Sequence, residues 1–81
     1  MKTYKFHYDS GHGWLEVDLE ELRQAGVLAK ISGYSYHKGS KAYLEEDCDA
    51  GIAIKALNIT KGNIVEVDNG NNSKIRDFKH F

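Results

Sequence analysis

Glu45-Glu46-Asp47-Cys48-Asp49 sets four carboxylates around the only cysteine of the chain. Four roles suit those residue types. Carboxylates gather hard cations, but a calcium loop alternates its ligands and carries a glycine at its sharp turn, and this segment does neither. A thiol acts as a nucleophile or redox group when its pKa is lowered; crowded carboxylates oppose the thiolate, and the chain has no Cys-x-x-Cys pair. Acids at a helix start complement the positive end of the helix dipole, by about 0.3–1 kcal/mol each. An exposed acidic face can also meet a basic protein or imitate nucleic-acid phosphate. Helix-start physics accounts for most of these acids. Glu45, Glu46, Asp47 and Asp49 stand as candidate contacts of an acidic binding face, and Cys48 is expected as a small buried residue beneath the helix start.

The remaining chemistry-bearing residues are weaker signals. His7, His12, His37 and His80 lack the close-spaced pair of a zinc site, although paired hairpins would let His7 and His37 approach on one face. Asp9-Ser10-Gly11-His12-Gly13 holds the three residue types of a hydrolytic triad, but side chains on one tight turn diverge and cannot converge on a reacting atom. It reads as a turn whose glycines permit positive φ. Trp14, Tyr34, Tyr36 and Tyr43, with Lys38 and Lys41 nearby, resemble a stacking platform for a single strand. Core packing or a protein interface explains the same aromatics as readily, and that reading is preferred. These four aromatics join the acids as candidate binding residues. No catalytic residue, metal or cofactor is expected.

The elements that must position these side chains follow from periodicity. Tyr4, Phe6 and Tyr8 alternate with Lys5 and His7 as a half-buried strand, and Trp14-Leu15-Glu16-Val17 returns as its hairpin partner. Asp18 suits the N-cap of a helix over residues 19–25, Glu21 stands at the capping-box position, and Gly26 suits the stop. A second hairpin runs from Tyr34 and Tyr36, through a Lys-Gly-Ser turn, to Ala42-Tyr43-Leu44. Asp47 or Asp49 then caps a helix ending near Leu57, whose Ala50, Ala53, Ile54 and Leu57 form a stripe at i, i+3, i+4 and i+7. Ile64-Val65-Glu66-Val67 is a last strand, and Ile75 and Phe78 dock the tail while Lys74, Arg76, Lys79 and His80 stay solvated. The order ββα-ββα-β predicts an α+β domain spanning residues 1–81: a small antiparallel sheet of about five strands, two helices on one face and the other face partly open.

Composition bounds the function. Eighty-one residues make one domain with a small core. A net charge of −1 shows no global basic excess for nucleic acid, and no polybasic run marks a membrane surface. A single cysteine requires no oxidising compartment, and the start of the chain lacks the apolar run of a signal peptide, so the expected location is the cytoplasm. An open sheet edge makes a homodimer a plausible assembly.

Three blocks together carry a resemblance. They are Phe6-His7-Tyr8-Asp9-x-Gly11-His12-Gly13-Trp14-Leu15-x-Val17, then Ser35-Tyr36, then Tyr43-Leu44-Glu45-Glu46-Asp47-Cys48-Asp49-Ala50. An Ile75-Arg76 pair precedes the terminal aromatic Phe81. This combination resembles the short hypothetical proteins encoded by tailed bacteriophages and prophages, with a departure in residues 56–72. The resemblance carries no catalytic residue across. It implies a phage accessory protein of the bacterial host cytoplasm that binds and modulates a bacterial host or defence protein. A single-stranded nucleic-acid module, and a small metal or thiol protein built on Cys48 and the histidines, are the competing expectations.

Overall fold

A computed structural model describes residues 2–81. The chain runs β1 (Tyr4–Tyr8), β2 (Gly13–Asp18), α1 (Leu19–Gln24), β3 (Tyr36–Lys38), β4 (Lys41–Glu45), α2 (Ala50–Ala56), β5 (Ile64–Asp68) and β6 (Lys79–His80). Short 3₁₀ turns lie at Leu28–Lys30, Lys61–Asn63 and Lys74–Asp77. The α+β class, both hairpins and both helices stand where the periodicity put them.

The sheet differs from the prediction in two ways. Among the described residues it has six strands, in the order β5-β1-β2-β4-β3-β6, and it is mixed. Strand β5 lies parallel to β1, with Tyr4 opposite Ile64 and Tyr8 opposite Asp68. Alternation in a strand tells which side chains share a face; it carries no information about the direction of the partner strand. Strand β6 is only two residues long and pairs with β3, so it has no periodicity to read.

Register builds the core. Leu15 opposes Leu44 and Val17 opposes Ala42 across β2 and β4. These side chains meet Leu22 of α1 and Ala50 and Ala53 of α2, so both helices cover one sheet face. The two helices also end alike. Gly26 takes φ 75° and lets Val27 N donate to Leu22 O at 3.0 Å; Asn58 takes φ 53° and lets Ile59 N donate to Ile54 O at 2.9 Å. Each is the six-to-one bond of a Schellman cap, and asparagine tolerates the left-handed position after glycine.

The β1–β2 turn is held by Asp9, whose Oδ1 accepts from Gly11 N and His12 N, both at 3.0 Å. Neither Gly11 nor Gly13 takes positive φ, contrary to the expectation from sequence. Gly13 is needed for space: a Cβ there would stand 2.4 Å from Cζ of Phe6. Gly13→Ala is expected to cost about 1–3 kcal/mol through overpacking, read as a lower urea midpoint at constant m-value.

The second sheet face is less open than predicted. Residues 69–81 return across it, with the Arg76 guanidinium 5.4 Å from the Trp14 ring centre and the Phe78 ring 5.1 Å from that of Tyr43. Ile75, in the same segment, is 3 % exposed and lies outside the main core cluster. Arg76 is therefore not a solvated tail residue. Among the described residues, no helix is long and apolar enough to cross a membrane.

Candidate functional site

Where the tail leaves the sheet face uncovered, a groove of about 370 Å³ opens, lined by His12, Trp14, Tyr34, Tyr36, Glu45, Asp47, Cys48, Arg76 and His80. Five of the eight residues singled out from the sequence converge here: Trp14, Tyr34, Tyr36, Glu45 and Asp47. Strand register explains the convergence. Trp14 opposes Glu45 and Tyr36 opposes Tyr43, which sets these side chains on the face away from the helices.

Trp14 forms the buried floor, at 2 % exposure. Tyr36 meets it edge-on at 6.4 Å, and His80 lies 4.3 Å from Tyr36. Tyr34 stands on the rim at 70 % exposure. Glu45 is half-buried, with Oε1 3.8 Å from His12 Nδ1, and its Oε2 accepts from Asp47 N at 3.0 Å. The indole Nε1 of Trp14 is buried and has no hydrogen-bond acceptor among the described residues.

Two buried carboxylates hold this groove together. Asp49 is 2 % exposed and stands at the N-cap position of α2, but its side chain makes no cap bond. Its Oδ2 accepts from Ser32 N at 3.1 Å, from Ser32 Oγ at 2.7 Å and from Ser35 Oγ. Ser35 Oγ in turn accepts from Glu45 N at 3.0 Å. This chain of bonds ties the loop bearing Tyr34 to the segment bearing Glu45 and Asp47. Asp9 does the same on the other side. Its carboxylate accepts from Arg76 Nε at 2.7 Å, Arg76 Nη2 at 2.9 Å and Ser73 N at 2.9 Å, besides the turn amides. The guanidinium beside Asp9, together with those amides, holds its carboxyl well below the usual carboxylate range.

Three predicted binding residues do not line the groove. Asp49 is buried among the serines, because a helix-start carboxylate with two hydroxyl donors nearby is better satisfied inward than in water. Glu46 lines a different groove, with Phe6, Ala50 and Ile54, since its neighbours turn it to the helix side. Tyr43 shares the sheet face but lies beneath Phe78, and burial pushes its phenol up. The acids of β2 and α1 do not join the groove either. Asp18 opposes Lys41 while Trp14 opposes Glu45, four residues apart along β2, or about 13 Å. Asp18 and Glu21 are engaged by Lys2, Asp18 by Lys41, and Glu20 by Arg23. Alternation pointed to Trp14 and Tyr36. Nothing comparable pointed to His12, Arg76 and His80, which reach the groove through a turn and through the tail's return.

The sequence-level chemistry is also resolved by placement. Cys48 is exposed, not buried as expected. The thiol hydrogen bond to Glu45, desolvation and the charges of Glu45, Asp49 and Asp47 push its pKa up, which favours the protonated thiol at neutral pH. Alkylation by iodoacetamide at pH 7.5 is expected to be slower than that of a free model thiol, and Glu45→Gln is expected to accelerate it. His7 and His37 stand on opposite faces: His7 opposes Trp14, whereas His37 opposes Ala42. Among the described residues, no group of three or more His, Cys, Asp or Glu side chains is placed to hold a metal ion.

Comparison with protein-family models, with curated proteins and with solved structures found no match.

Proposed function

We propose that this chain is a non-enzymatic, phage-type accessory protein that binds and inhibits a bacterial host or defence protein, and that the partner's basic side chain seats in the Trp14–Tyr36 groove. The observation that carries the reading is the convergence of three aromatics with Glu45 and Asp47 in one groove. Arg76 also lines it, but Asp9 already matches its charge, so the uncompensated field comes from the two acids. A cation entering there gains carboxylate contacts and aromatic faces together. Rigid tyrosine and tryptophan anchors suit a protein interface, where they supply contact area at low entropy cost. The resemblance to short phage proteins supplies the bacterial partner class; the groove supplies the chemistry of the contact.

The test compares wild type with the Tyr34→Ala/Asp47→Lys double variant, both immobilised and exposed to bacterial lysate at matched salt. Wild type is expected to retain a protein that the double variant releases. The purified partner, titrated against Trp14 emission, is expected to bind the variant at least about tenfold more weakly. Retention of nothing at any salt, or equal retention by both chains, overturns the reading.

A further inference from the structure

A further groove, sharing no lining residue with the Trp14 groove, lies between the β3–β4 turn and the tail. It is open, has a volume of about 730 Å³, and is lined by His37, Lys38, Gly39, Lys74, Asp77, Phe78 and Lys79. Three lysines, one from β3 and two from the returning tail, thus face one carboxylate, in a chain whose formal charge is −1. All three are exposed. Among the described residues, none of them lies within 4.0 Å of a carboxylate oxygen, whereas Lys2 and Lys41 are both ion-paired. The charge is therefore segregated: cations here, acids in the Trp14 groove.

We infer that this groove binds single-stranded nucleic acid, with Lys38, Lys74 and Lys79 on successive phosphates and the Phe78 ring against a base. The ring is what selects this occupant among polyanions. Lys38 Nζ sits over Phe78 at 4.9 Å from the ring centre, so a mobile ammonium group covers an aromatic face that lies in the groove. A base that takes that face moves the Lys38 ammonium onto the adjoining phosphate. In a duplex the bases are stacked on one another, and their faces cannot reach the ring. A polyglutamate peptide can use the lysines but has no ring to stack on Phe78. Backbone-tracking lysines with an interposed aromatic are the general means by which single strands are held without sequence preference.

The proposed contacts fix the salt dependence. Three phosphates neutralised on a single strand give a slope of log K against log salt of about −2, or about a 20-fold loss of affinity between 50 and 200 mM salt. The experiment is fluorescence anisotropy of a labelled twelve-residue oligothymidylate with the full chain at 20 mM salt. Binding is expected, with that slope. Lys38→Gln, Lys74→Gln and Lys79→Gln should each make the slope shallower by about 0.7. Lys55→Gln, the same charge change on α2 outside the groove, should leave both slope and affinity near wild type. Phe78→Leu should weaken binding about fivefold or more without changing the slope, with circular dichroism confirming the fold. Because Phe78 also packs on Tyr43, the three lysine variants decide the matter if that variant unfolds. No binding at 20 mM salt overturns the inference. So does an equal loss in Lys55→Gln, or equal affinity for a duplex or a polyglutamate peptide of matched charge.

Discussion

Trp14→Ala is expected to destabilise the domain by about 3–5 kcal/mol. A domain of this size has a total stability of only about 4–12 kcal/mol, so the variant should be largely unfolded near 37 °C. The cost arises because Trp14 is the buried floor of the second sheet face, touched by His12, Tyr36 and Arg76. Its removal leaves a cavity that the strand backbone cannot close. Trp14→Phe separates two terms. It keeps most of the ring while deleting the buried Nε1 hydrogen, which has no acceptor among the described residues. A buried unmet donor costs about 1–3 kcal/mol, so this variant should lose less than half of what alanine loses. Urea unfolding followed by far-ultraviolet circular dichroism measures both, since the variants lack the only tryptophan. An alanine cost below about 1 kcal/mol would show that the second face contributes little to stability.

Asp9→Asn is expected to release the tail. Every donor around this carboxylate is a nitrogen: two turn amides, Ser73 N and two guanidinium nitrogens. An asparagine must turn its own NH₂ toward some of them, and it leaves the Arg76 charge unmatched. The unfolding midpoint should fall by roughly 10 °C or more. Arg76→Leu should be less damaging than Asp9→Asn, because Asp9 keeps its three amide donors, and the double variant should cost less than the sum. The pH dependence has a definite sign. The folded carboxyl titrates well below its unfolded value of about 3.9, so its stabilisation is complete above about pH 4 and is lost as pH falls further. Wild type should lose stability steeply below pH 4, and Asp9→Asn should do so more shallowly. The slope will not vanish, because Asp18 and Glu21 also titrate below their ordinary range beside Lys2. An identical acid slope in both chains would remove Asp9 from the account.

The two buried carboxylates change how the acid-rich segment is understood. Asp49 looked like one of a set of surface acids with Glu45, Glu46 and Asp47. It is instead the internal tie between the Ser32–Ser35 loop and that segment. Asp9, in a turn that looked merely local, anchors a segment 64 residues away through Ser73 N. Both groups hold the aromatic groove in shape without lining it, so under the proposed function substitutions there should weaken partner binding and stability together. Tyr34 and Asp47, by contrast, stand at the exposed rim, and their loss should affect binding alone.

Local chemistry determined much of this protein. The alternation in Tyr4–Tyr8 and Gly13–Asp18, the Lys38-Gly39-Ser40-Lys41 turn and the apolar stripe of α2 each act within a few residues, so they are written in adjacent positions. They determined the α+β class, both hairpins, both helices and the shared face of Trp14 and Tyr36. Tertiary structure decided the rest. The parallel pairing of β5 with β1 and the return of residues 69–81 over the second face depend on contacts about 60 residues apart, which no local period encodes. The same long-range closure drew Arg76 to Asp9 and gathered Lys74 and Lys79 beside Lys38, while the Ser32–Ser35 loop, 14 to 17 residues from Asp49, turned that carboxylate inward. Residue types set the chemistry each side chain can do; the closure of the chain on itself set which of them meet.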